Sequence, residues 1–444
     1  MALSARAEIE AKQSSGGPIW DVYDNLWDPD SNPDGFVNIG VAENRLMHGE
    51  LVARIARTPP MPEHSLTYGD GPKGSKRLRK VIAAFLSKRL SSHLPILPEH
   101  LVVTNGVSSA IEHCAWALTG PDEAWLLGQP YYGSFVADLT DRTGAKLIKV
   151  SFGDVDPLSA QAVARYEAAI HEAHQRGVKV KAVMLCNPHN PLGRCYSREA
   201  LLAYLKLCHT HGLHLVSDEV YGLTIWQNTK DTHPSPTPFT SILSLRLDGL
   251  IDPSQVHALW GVSKDFGANG LRLGCVISQH NKPFLNSLTT PAIYSYISGL
   301  SDHVVAEVLE DEDWTDKYLI TSRQRLADTF AFAVDILNRH SIPYTPGSNS
   351  GFFLWVDLAQ LYRDKFPLDA DTDVTQVIMD ALMKNKVFLA SGTAFGSERP
   401  GVFRITFSHP REYLEEGLGR LLLTLGLHTE RELPDRTLAV ARDI

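Results

Sequence analysis

The sequence predicts an α/β fold in which a mostly parallel sheet is flanked by helices. Between about residues 100 and 280, short apolar runs alternate with amphipathic runs of helix length, a pattern typical of parallel strands joined by crossover helices. After about residue 280 a long helical run and then mixed short runs replace this alternation. The chain has 444 residues, more than one compact core usually supports. We therefore expect a large domain and a smaller α+β domain.

The elements of the large domain follow from these runs. Seven strands are predicted, at residues 101–104, 124–127, 146–150, 181–186, 214–216, 256–260 and 273–278. Helices are predicted at residues 108–118, 161–175 and 198–211, and Ser197 is placed to cap the last of them. In such a sheet the carboxyl ends of the strands can carry a functional site.

The two ends of the chain have a different character. Pro18, Pro29 and Pro33 mark the first fifty residues as an irregular arm. The C-terminal part is predicted as a long helix over 301–340, a turn-rich break, a strand at 351–356, a helix at 374–386, a strand at 402–407 and a loosely held tail from residue 430. The expected domains are an arm (1–50) packed with the small domain, a large domain (51–300) and a small C-terminal domain (301–444).

The composition is that of an ordinary globular protein. The net charge of −9, from 42 basic and 51 acidic residues, is unfavourable for binding nucleic acid or an anionic membrane. No apolar run approaches the roughly 18 residues needed to span a bilayer, and no apolar signal core follows Met1. The five cysteines form no CxxC pair, which fits a reducing compartment. We expect a cytoplasmic enzyme.

Three histidines raise the question of a metal site. They form the pattern His209-x-His211-x-x-His214, but no carboxylate or cysteine stands at ligand spacing beside them. Surface histidines at a helix end are therefore the better interpretation, and no metal is expected.

The segment from Ser263-Lys264 to Arg272 carries the chemistry that is easiest to interpret. A lysine amine can form a Schiff base with the aldehyde of pyridoxal phosphate (PLP), and an arginine fork eight residues later can bind its phosphate. A helix-end lysine followed by an exposed arginine explains this spacing equally simply and would be favoured if it stood alone. The case for PLP therefore depends on other segments.

Two strand-to-loop segments strengthen it. In Thr104-Asn105-Gly106-Val107-Ser108, a strand runs into a helix whose first N–H groups, with the Ser108 hydroxyl, can bind an anion. In Asn187-Pro-His-Asn190-Pro, two Asn-Pro steps force an extended backbone and fix Asn190, whose amide can donate to a phenolate oxygen. Each segment alone is also compatible with an ordinary turn.

A third segment offers a partner for a pyridine ring. Asp218 ends an apolar strand, where a carboxylate is costly unless it meets a cation such as a protonated pyridine nitrogen. Tyr221, three residues later, could reach the phenolic oxygen of the same ring. A role for Asp218 as an N-cap is the competing interpretation.

The motifs together resemble a known family. They are Gly40-Val-Ala-Glu-Asn44, Tyr68-Gly69, Asn105-Gly-Val-Ser108, Pro130-Tyr-Tyr132, Asn187-Pro-x-Asn-Pro-x-Gly193, Asp218-x-x-Tyr221, Ser263-Lys264 to Arg272, and Phe403-Arg404. Their order and extent resemble the fold-type-I PLP enzymes of the class I/II aminotransferase superfamily, and most closely the 1-aminocyclopropane-1-carboxylate (ACC) synthase-like branch. The resemblance covers nearly the whole chain.

The resemblance implies a role for each matching residue. Lys264 would hold PLP as a Schiff base and move protons at the substrate Cα. The cofactor would also be held by Asp218 at the pyridine nitrogen, Asn190 and Tyr221 at the phenolate, Tyr132 on the ring face, and Val107, Ser108, Ser263 and Arg272 at the phosphate. Tyr68 would reach the phosphate of the neighbouring subunit in a homodimer. Arg404 would bind the substrate α-carboxylate beside Asn190, and Glu43 would lie near the substrate side chain.

The implied activity is chemistry at the Cα of an α-amino acid through a carbanion. The specific hypothesis is γ-elimination from S-adenosylmethionine, because Glu43 could meet a sulfonium group. An aminotransferase, a C–S lyase of specialised metabolism and a catalytically silent binding relative remain open. Gly261 replaces a serine that the family usually has three residues before the lysine, and a proline-rich loop follows near Thr232; both leave ACC synthase activity itself in question.

Overall fold

The computed structural model describes residues 3–4, 7–8, 11 and 18–427, so the predicted loose tail from residue 430 lies outside the described part. A seven-stranded sheet forms its centre. The strands are β2 (Leu101–Asn105), β3 (Ala124–Gly128), β4 (Lys146–Val150), β5 (Val180–Cys186), β6 (His214–Asp218), β7 (Val256–Gly261) and β8 (Leu273–Ile277). Each predicted strand is present, with its ends shifted by two residues at most.

The strand order is β2-β8-β7-β6-β5-β3-β4, and β8 is antiparallel to both of its neighbours while the other pairs are parallel. The sheet is therefore mostly parallel, as predicted. Strands β5 to β8 are buried along almost their whole length, as expected when helices cover both faces. This topology brings the carboxyl ends of β2, β5, β6 and β7 to one edge, where β8 begins.

Helices cover this sheet and connect its strands. Those of the first 300 residues are α1 (Pro18–Tyr23), α2 (His48–Ile55), α3 (Lys76–Arg89), α4 (Val107–Leu118), α5 (Phe135–Thr140), α6 (Val163–Gln175), α7 (Arg198–His211), α8 (Val262–Asp265), α9 (Lys282–Ser287) and α10 (Thr289–Ala292). Ser197 caps α7 as predicted, since its side chain accepts a hydrogen bond from the Ala200 N–H at 3.1 Å. None of the described helices has the length and apolarity that a membrane crossing requires.

The C-terminal part forms a second layer of structure with the N-terminal arm. It contains α11 (Gly299–Glu310), α12 (Glu312–Arg339), β9 (Phe353–Asp357), α13 (Ala359–Lys365), α14 (Val374–Lys384), β10 (Val387–Phe388), β11 (Ala390–Ser391), β12 (Val402–Thr406) and α15 (Arg411–Thr424). Strands β11, β12 and β9 form an antiparallel sheet. Strand β1 (Val37–Asn38) of the arm pairs in parallel with β10. The domain boundaries at residues 50 and 300 stay predictions.

The single long helix predicted over 301–340 is wrong. Asp311 divides it into α11 and α12, because its backbone leaves the helical region and its carboxylate accepts from the Trp314 N–H at 3.1 Å. The residue thus ends one helix and caps the next.

Candidate active site

A cavity of about 240 Å³ lies at the edge of the sheet where the strand ends meet. Nine of the residues predicted from the sequence line it: Val107, Ser108, Tyr132, Asn190, Asp218, Tyr221, Ser263, Lys264 and Arg272. They follow five different strands, so the parallel topology brings together residues up to 165 positions apart in the sequence. The spatial grouping of these residues is a property of the fold.

Lys264 lies in the short helix α8, directly after β7. Its Nζ donates a hydrogen bond to the Ala42 carbonyl of the N-terminal segment at 2.7 Å. The pKa of the amine is lowered to about 8 in total, because burial and the Arg404 cation lower it and the Glu43 carboxylate only partly opposes the shift. About one tenth of this lysine is therefore unprotonated, and nucleophilic, at pH 7.

Asp218 ends β6 and is 4% exposed. Its Oδ1 accepts from the Val220 N–H at 3.2 Å. Burial raises the pKa of the carboxyl to about 7, while the Val220 hydrogen bond and the Lys264 cation oppose the rise. A cationic partner in the cavity would stabilise the ionised form of this carboxyl, which has only one hydrogen-bond donor from the described residues.

Tyr221 and Asn190 lie together on the cavity wall. The Asn190 amide donates to the Tyr221 hydroxyl at 3.4 Å, and both side chains are buried. Phe352 and Phe353 meet the Tyr221 ring edge to face and fix its orientation. Tyr132 is held similarly by Phe135, at a ring distance of 5.3 Å.

An anion site is built where β2 enters α4. Gly106 has φ +83°, and the helix begins at the next residue, so the first N–H groups of α4 have no helical acceptor. Arg272 lies against this turn, because a Cβ at position 106 would be 2.3 Å from its Nη2. The Arg272 Nη1 is held by the Asn269 carbonyl at 2.9 Å. Ser263 completes the group of donors at the cavity.

Arg404 lies on β12 and connects the small sheet to the cavity. It is 4% exposed, and it donates to the Asn190 Oδ1 at 2.8 Å and to the Gly40 carbonyl at 2.5 Å. The rings of Phe353 and Phe395 lie 4.4 and 4.6 Å from its guanidinium carbon. Burial lowers its pKa to about 10, which leaves it charged at neutral pH, and its Nε is buried without an acceptor among the described residues.

Three predicted residues lie outside the cavity lining: Arg404, which donates to the lining residue Asn190, and also Glu43 and Tyr68. Glu43 is partly buried, its carbonyl accepts from Ser408 Oγ at 2.6 Å, and its charge acts on Lys264. Tyr68 is 88% exposed, and its ring lies 6.3 Å from that of Tyr296. Within one chain the structure does not bring Tyr68 to the site.

A family model for class I and II aminotransferases matches residues 37–421 of the sequence. The chain belongs to this aminotransferase family. Aspartate aminotransferase from Thermus thermophilus with maleate has the same fold, with a TM-score of 0.72 at 19% identity over 96% of this chain and 97% of that one.

Three curated relatives refine the position within the aminotransferase family. The ACC synthase-like protein 1 of Homo sapiens is 34% identical over 89% of this chain and 77% of its own length. The probable inactive ACC synthase-like protein 2 of Mus musculus is 32% identical over 91% of this chain and 68% of its own. ACC synthase 2 of Cucurbita pepo is 30% identical over 88% of this chain and 78% of its own. The chain therefore belongs to the ACC synthase-like branch of this family.

Aminotransferases of this family depend on PLP, and the cavity of this chain fits that cofactor. Arg272 and the start of α4 supply donors for a phosphate, Asp218 supplies a buried carboxylate for a pyridinium, and Lys264 supplies an amine whose pKa is low enough for attack on an aldehyde. The close approach of Arg272 to Gly106 would be lost if that position carried a Cβ.

The structure accounts for the departure at Gly261. A Cβ at this position would lie 2.6 Å from the Leu273 carbonyl oxygen and 2.8 Å from Val107 Cγ2. Since the gap between β7, β8 and α4 leaves no room for a side chain, a serine could not be added without moving one of them.

Several lining residues were missed from the sequence. Ile111, Cys186, Val220 and Asn269 line the cavity beside the predicted set. The Asn269 amide approaches the Ala42 carbonyl at 3.4 Å, and its Oδ1 is buried without a partner among the described residues. Asn269 could have been found in the sequence from its position between Lys264 and Arg272, the two predicted cofactor-binding residues. The backbone carbonyls of Gly40 and Ala42, which accept from Arg404 and Lys264, carry no signal in the sequence.

Proposed function

We propose that this aminotransferase-family chain acts at the Cα of an α-amino acid and that its reaction is γ-elimination from S-adenosylmethionine. The observation that carries the proposal is that Lys264 and Asp218 line one cavity and that the buried Arg404 donates a hydrogen bond to Asn190, which lines the same cavity. Chemistry at Cα requires three groups. Arg404 supplies a cation that binds the substrate carboxylate, Lys264 supplies an amine that accepts the Cα proton, and Asp218 supplies a buried carboxylate that pairs with a pyridinium.

Arg404 would bind the substrate α-carboxylate. Its contacts to Asn190 and Gly40 use one hydrogen on each Nη, which leaves Nε–H and further Nη–H groups for a bidentate pair. The two phenylalanine rings beside it hold the guanidinium in place. A carboxylate fixed in this way sets the direction of the bonds at Cα, and this orientation selects the bond that is broken.

Lys264 would move the proton at Cα. When bound, PLP supplies an electron sink for the negative charge that develops there. The residues that would hold it are Asp218, Asn190, Tyr221, Tyr132, Ser108, Ser263 and Arg272 through their side chains and Val107 through its backbone N–H. Because Lys264 lies in a short helix after a buried strand and Asp218 ends the neighbouring strand, the proton-transfer group and the pyridinium partner have a rigid common support.

The proposed reaction is balanced without a further reactant. The Cα proton passes to Lys264, the Cγ–S bond breaks, and its electron pair leaves with sulfur in methylthioadenosine. The Cα electron pair forms the new Cα–Cγ bond of ACC. Glu43, whose charge already acts on Lys264, would stabilise the sulfonium of the bound substrate.

The names of two relatives bear on whether this chain is an active enzyme. One is named an ACC synthase and another a probable inactive ACC synthase-like protein. Against a silent relative stands the retention of Lys264, Asp218, Asn190, Tyr221, Arg272 and Arg404, which a mere binding protein has no physical need to keep in this arrangement.

Incubation of the purified protein with PLP and S-adenosylmethionine tests the proposal. We expect methylthioadenosine and ACC in equal amounts, measured by mass spectrometry. Lys264→Ala should abolish both products, whereas Lys206→Ala, at an exposed position on α7, should not. Absence of turnover of S-adenosylmethionine in a PLP-loaded protein would refute the γ-elimination.

The same preparation distinguishes the alternatives. Conversion of amino acid to keto acid with the cofactor recovered by a second keto acid would identify an aminotransferase, and release of thiol with ammonia a C–S lyase. Borohydride reduction followed by peptide mapping should place the cofactor mass on Lys264. A colourless protein with no such adduct would support the silent relative.

A further inference from the structure

Side chains that can bind a metal lie together where the middle of α6 packs against the C-terminal end of α7. Glu167, His171 and His211 each offer one ligand atom, and these atoms lie within 4.8 Å of one another. The His174 ring lies 6.4 Å from that of His211. None of the four residues lines the active-site cavity, so the cluster is separate from the site described above.

The two helices aim the ligand atoms at one point. Glu167 and His171 are four residues apart, which places them one above the other on one face of α6. His211 is the last residue of the adjacent α7. Its Nε2 lies 2.7 Å from Glu167 Oε1, and the Nε2 of His171 lies 3.4 Å from the same oxygen. Two imidazoles from different helices therefore point their Nε2 atoms at one carboxylate oxygen.

The electrostatic surroundings favour a cation. The last carbonyls of a helix carry partial negative charge, and His211 is the last residue of α7. The left-handed Gly212, with φ +63°, stops α7 directly after His211. Glu167 adds a full negative charge. Its side chain is 40% exposed and that of His171 is 63% exposed, so an ion can enter from solvent.

The ligand types select the class of ion. Two imidazoles with one carboxylate are a typical ligand set for zinc and similar transition metals, whereas calcium and magnesium prefer oxygen alone. An ion about 2.1 Å from a ring nitrogen lies about 3 Å from the ring centre, so two imidazoles that share an ion have centres about 5–6 Å apart. The centres of His171 and His211 are 6.0 Å apart.

We propose that Glu167, His171 and His211 bind one divalent ion of the zinc type, with water completing the coordination. The ion takes the place of the hydrogen bond between His211 Nε2 and Glu167 Oε1. It cross-links the middle of α6 to the C-terminal end of α7 and so stabilises the packing of these two helices. From the sequence this site could not be seen, because the carboxylate stands 44 residues before His211 and only the packing of α6 on α7 joins them.

Calorimetric titration of the PLP-loaded, EDTA-treated protein with zinc chloride tests the site. We expect saturation at one ion per chain and a rise in Tm on zinc addition. His171→Ala and His211→Ala should each weaken zinc binding by at least about tenfold. His209→Ala is the matched control, since this exposed residue lies on α7 outside the cluster, and it should bind as the unmodified protein does.

X-ray absorption of the zinc-loaded protein provides an independent readout. We expect a first shell of nitrogen and oxygen with imidazole scattering. The proposal is overturned if no saturable binding is found, or if the double variant of His171 and His211 binds zinc as tightly as the unmodified chain. His171→Ala alone keeps the test independent of folding, because the His171 side chain is 63% exposed, and wild-type zinc affinity in this variant also overturns the proposal.

Discussion

At the scale of single residues, the low pKa of Lys264 has a kinetic consequence for cofactor uptake. The unprotonated amine attacks the aldehyde, and burial lowers the pKa of this amine to about 8 from an ordinary value of 10.5. We predict that the rate constant for PLP uptake by the apoprotein rises about tenfold per pH unit below pH 8 and levels off above it. Stopped-flow absorbance between pH 6.5 and 10 measures this profile.

Glu43→Gln provides the second arm of that experiment. The Glu43 charge raises the Lys264 pKa against the effect of burial, so its removal should move the plateau to lower pH. A rate that climbs steadily to pH 10 in both proteins would mean that Lys264 titrates as an ordinary surface lysine.

Burial of Asp218, which suits it to pair with a pyridinium, lowers the stability of the folded apoprotein. Its folded-state pKa is raised to about 7 from 3.8, so between these values the unfolded chain binds fewer protons than the folded one and stability falls as pH rises. In the apoprotein, Asp218→Asn should therefore gain stability relative to the unmodified chain between pH 5 and 8, by on the order of 1 kcal/mol. Its turnover with PLP should fall, because the pyridinium partner is lost.

Urea unfolding of both apoproteins at pH 5 and pH 8 measures this difference. Asp154→Asn, at an exposed position, is the control and should show no such pH-dependent gain. An Asp218→Asn apoprotein that is less stable at pH 8 than at pH 5, relative to the unmodified chain, would contradict a neutralised carboxyl at this position.

At the scale of elements, the junction of β7 with α8 has no space for a side chain at Gly261. Gly261→Ser should destabilise the apoprotein by about 1–3 kcal/mol, because its Cβ would meet the Leu273 carbonyl and Val107. Gly270→Ser is the matched control in the same segment, since nothing lies within 4 Å of a Cβ there. Urea unfolding should show a change within about 0.5 kcal/mol for the control. Equal stability of both variants would show that the junction can open.

The elements also show which parts of the fold the sequence could predict. Strands β2 to β8 were found because they are short apolar runs bounded by turns, a local signal. The break at Asp311 was missed because the apolar pattern continues across it, and only the cap to Trp314 reveals a new helix. The pairing of β1 with β10 could not be predicted, because each strand has only two residues, too few to show a periodicity, and the two strands are 350 positions apart in the sequence.

At the scale of the whole molecule, the site joins three parts of the chain. Lys264 and Asp218 could be predicted because they stand at strand ends that a parallel sheet brings together. Their contacts with the N-terminal segment could not, because Ala42 and Gly40 contribute backbone carbonyls. The arm and the small sheet thus hold the lysine and the arginine in place, which makes the relative position of these parts a determinant of activity.

Tyr68 carries the last prediction, which concerns the assembly. It is 88% exposed in one chain, and a role at the cofactor phosphate therefore requires a second copy. We predict a homodimer in which Tyr68 reaches the neighbouring site. Lys264→Ala and Tyr68→Ala should each be impaired alone. After co-expression with two affinity tags, a mixed dimer contains one site with an intact Lys264 and an intact Tyr68 from the other subunit.

Random pairing of the two variants should therefore restore about one quarter of the sites. If Tyr68 served its own chain, each site of the mixed dimer would lack one of the two groups, and mixing would restore nothing. Size-exclusion chromatography checks that both variants are dimers, and the purified doubly tagged dimer should reach about half the activity of the unmodified protein. Activity in the mixture above that of either parent can arise only from sites shared between subunits.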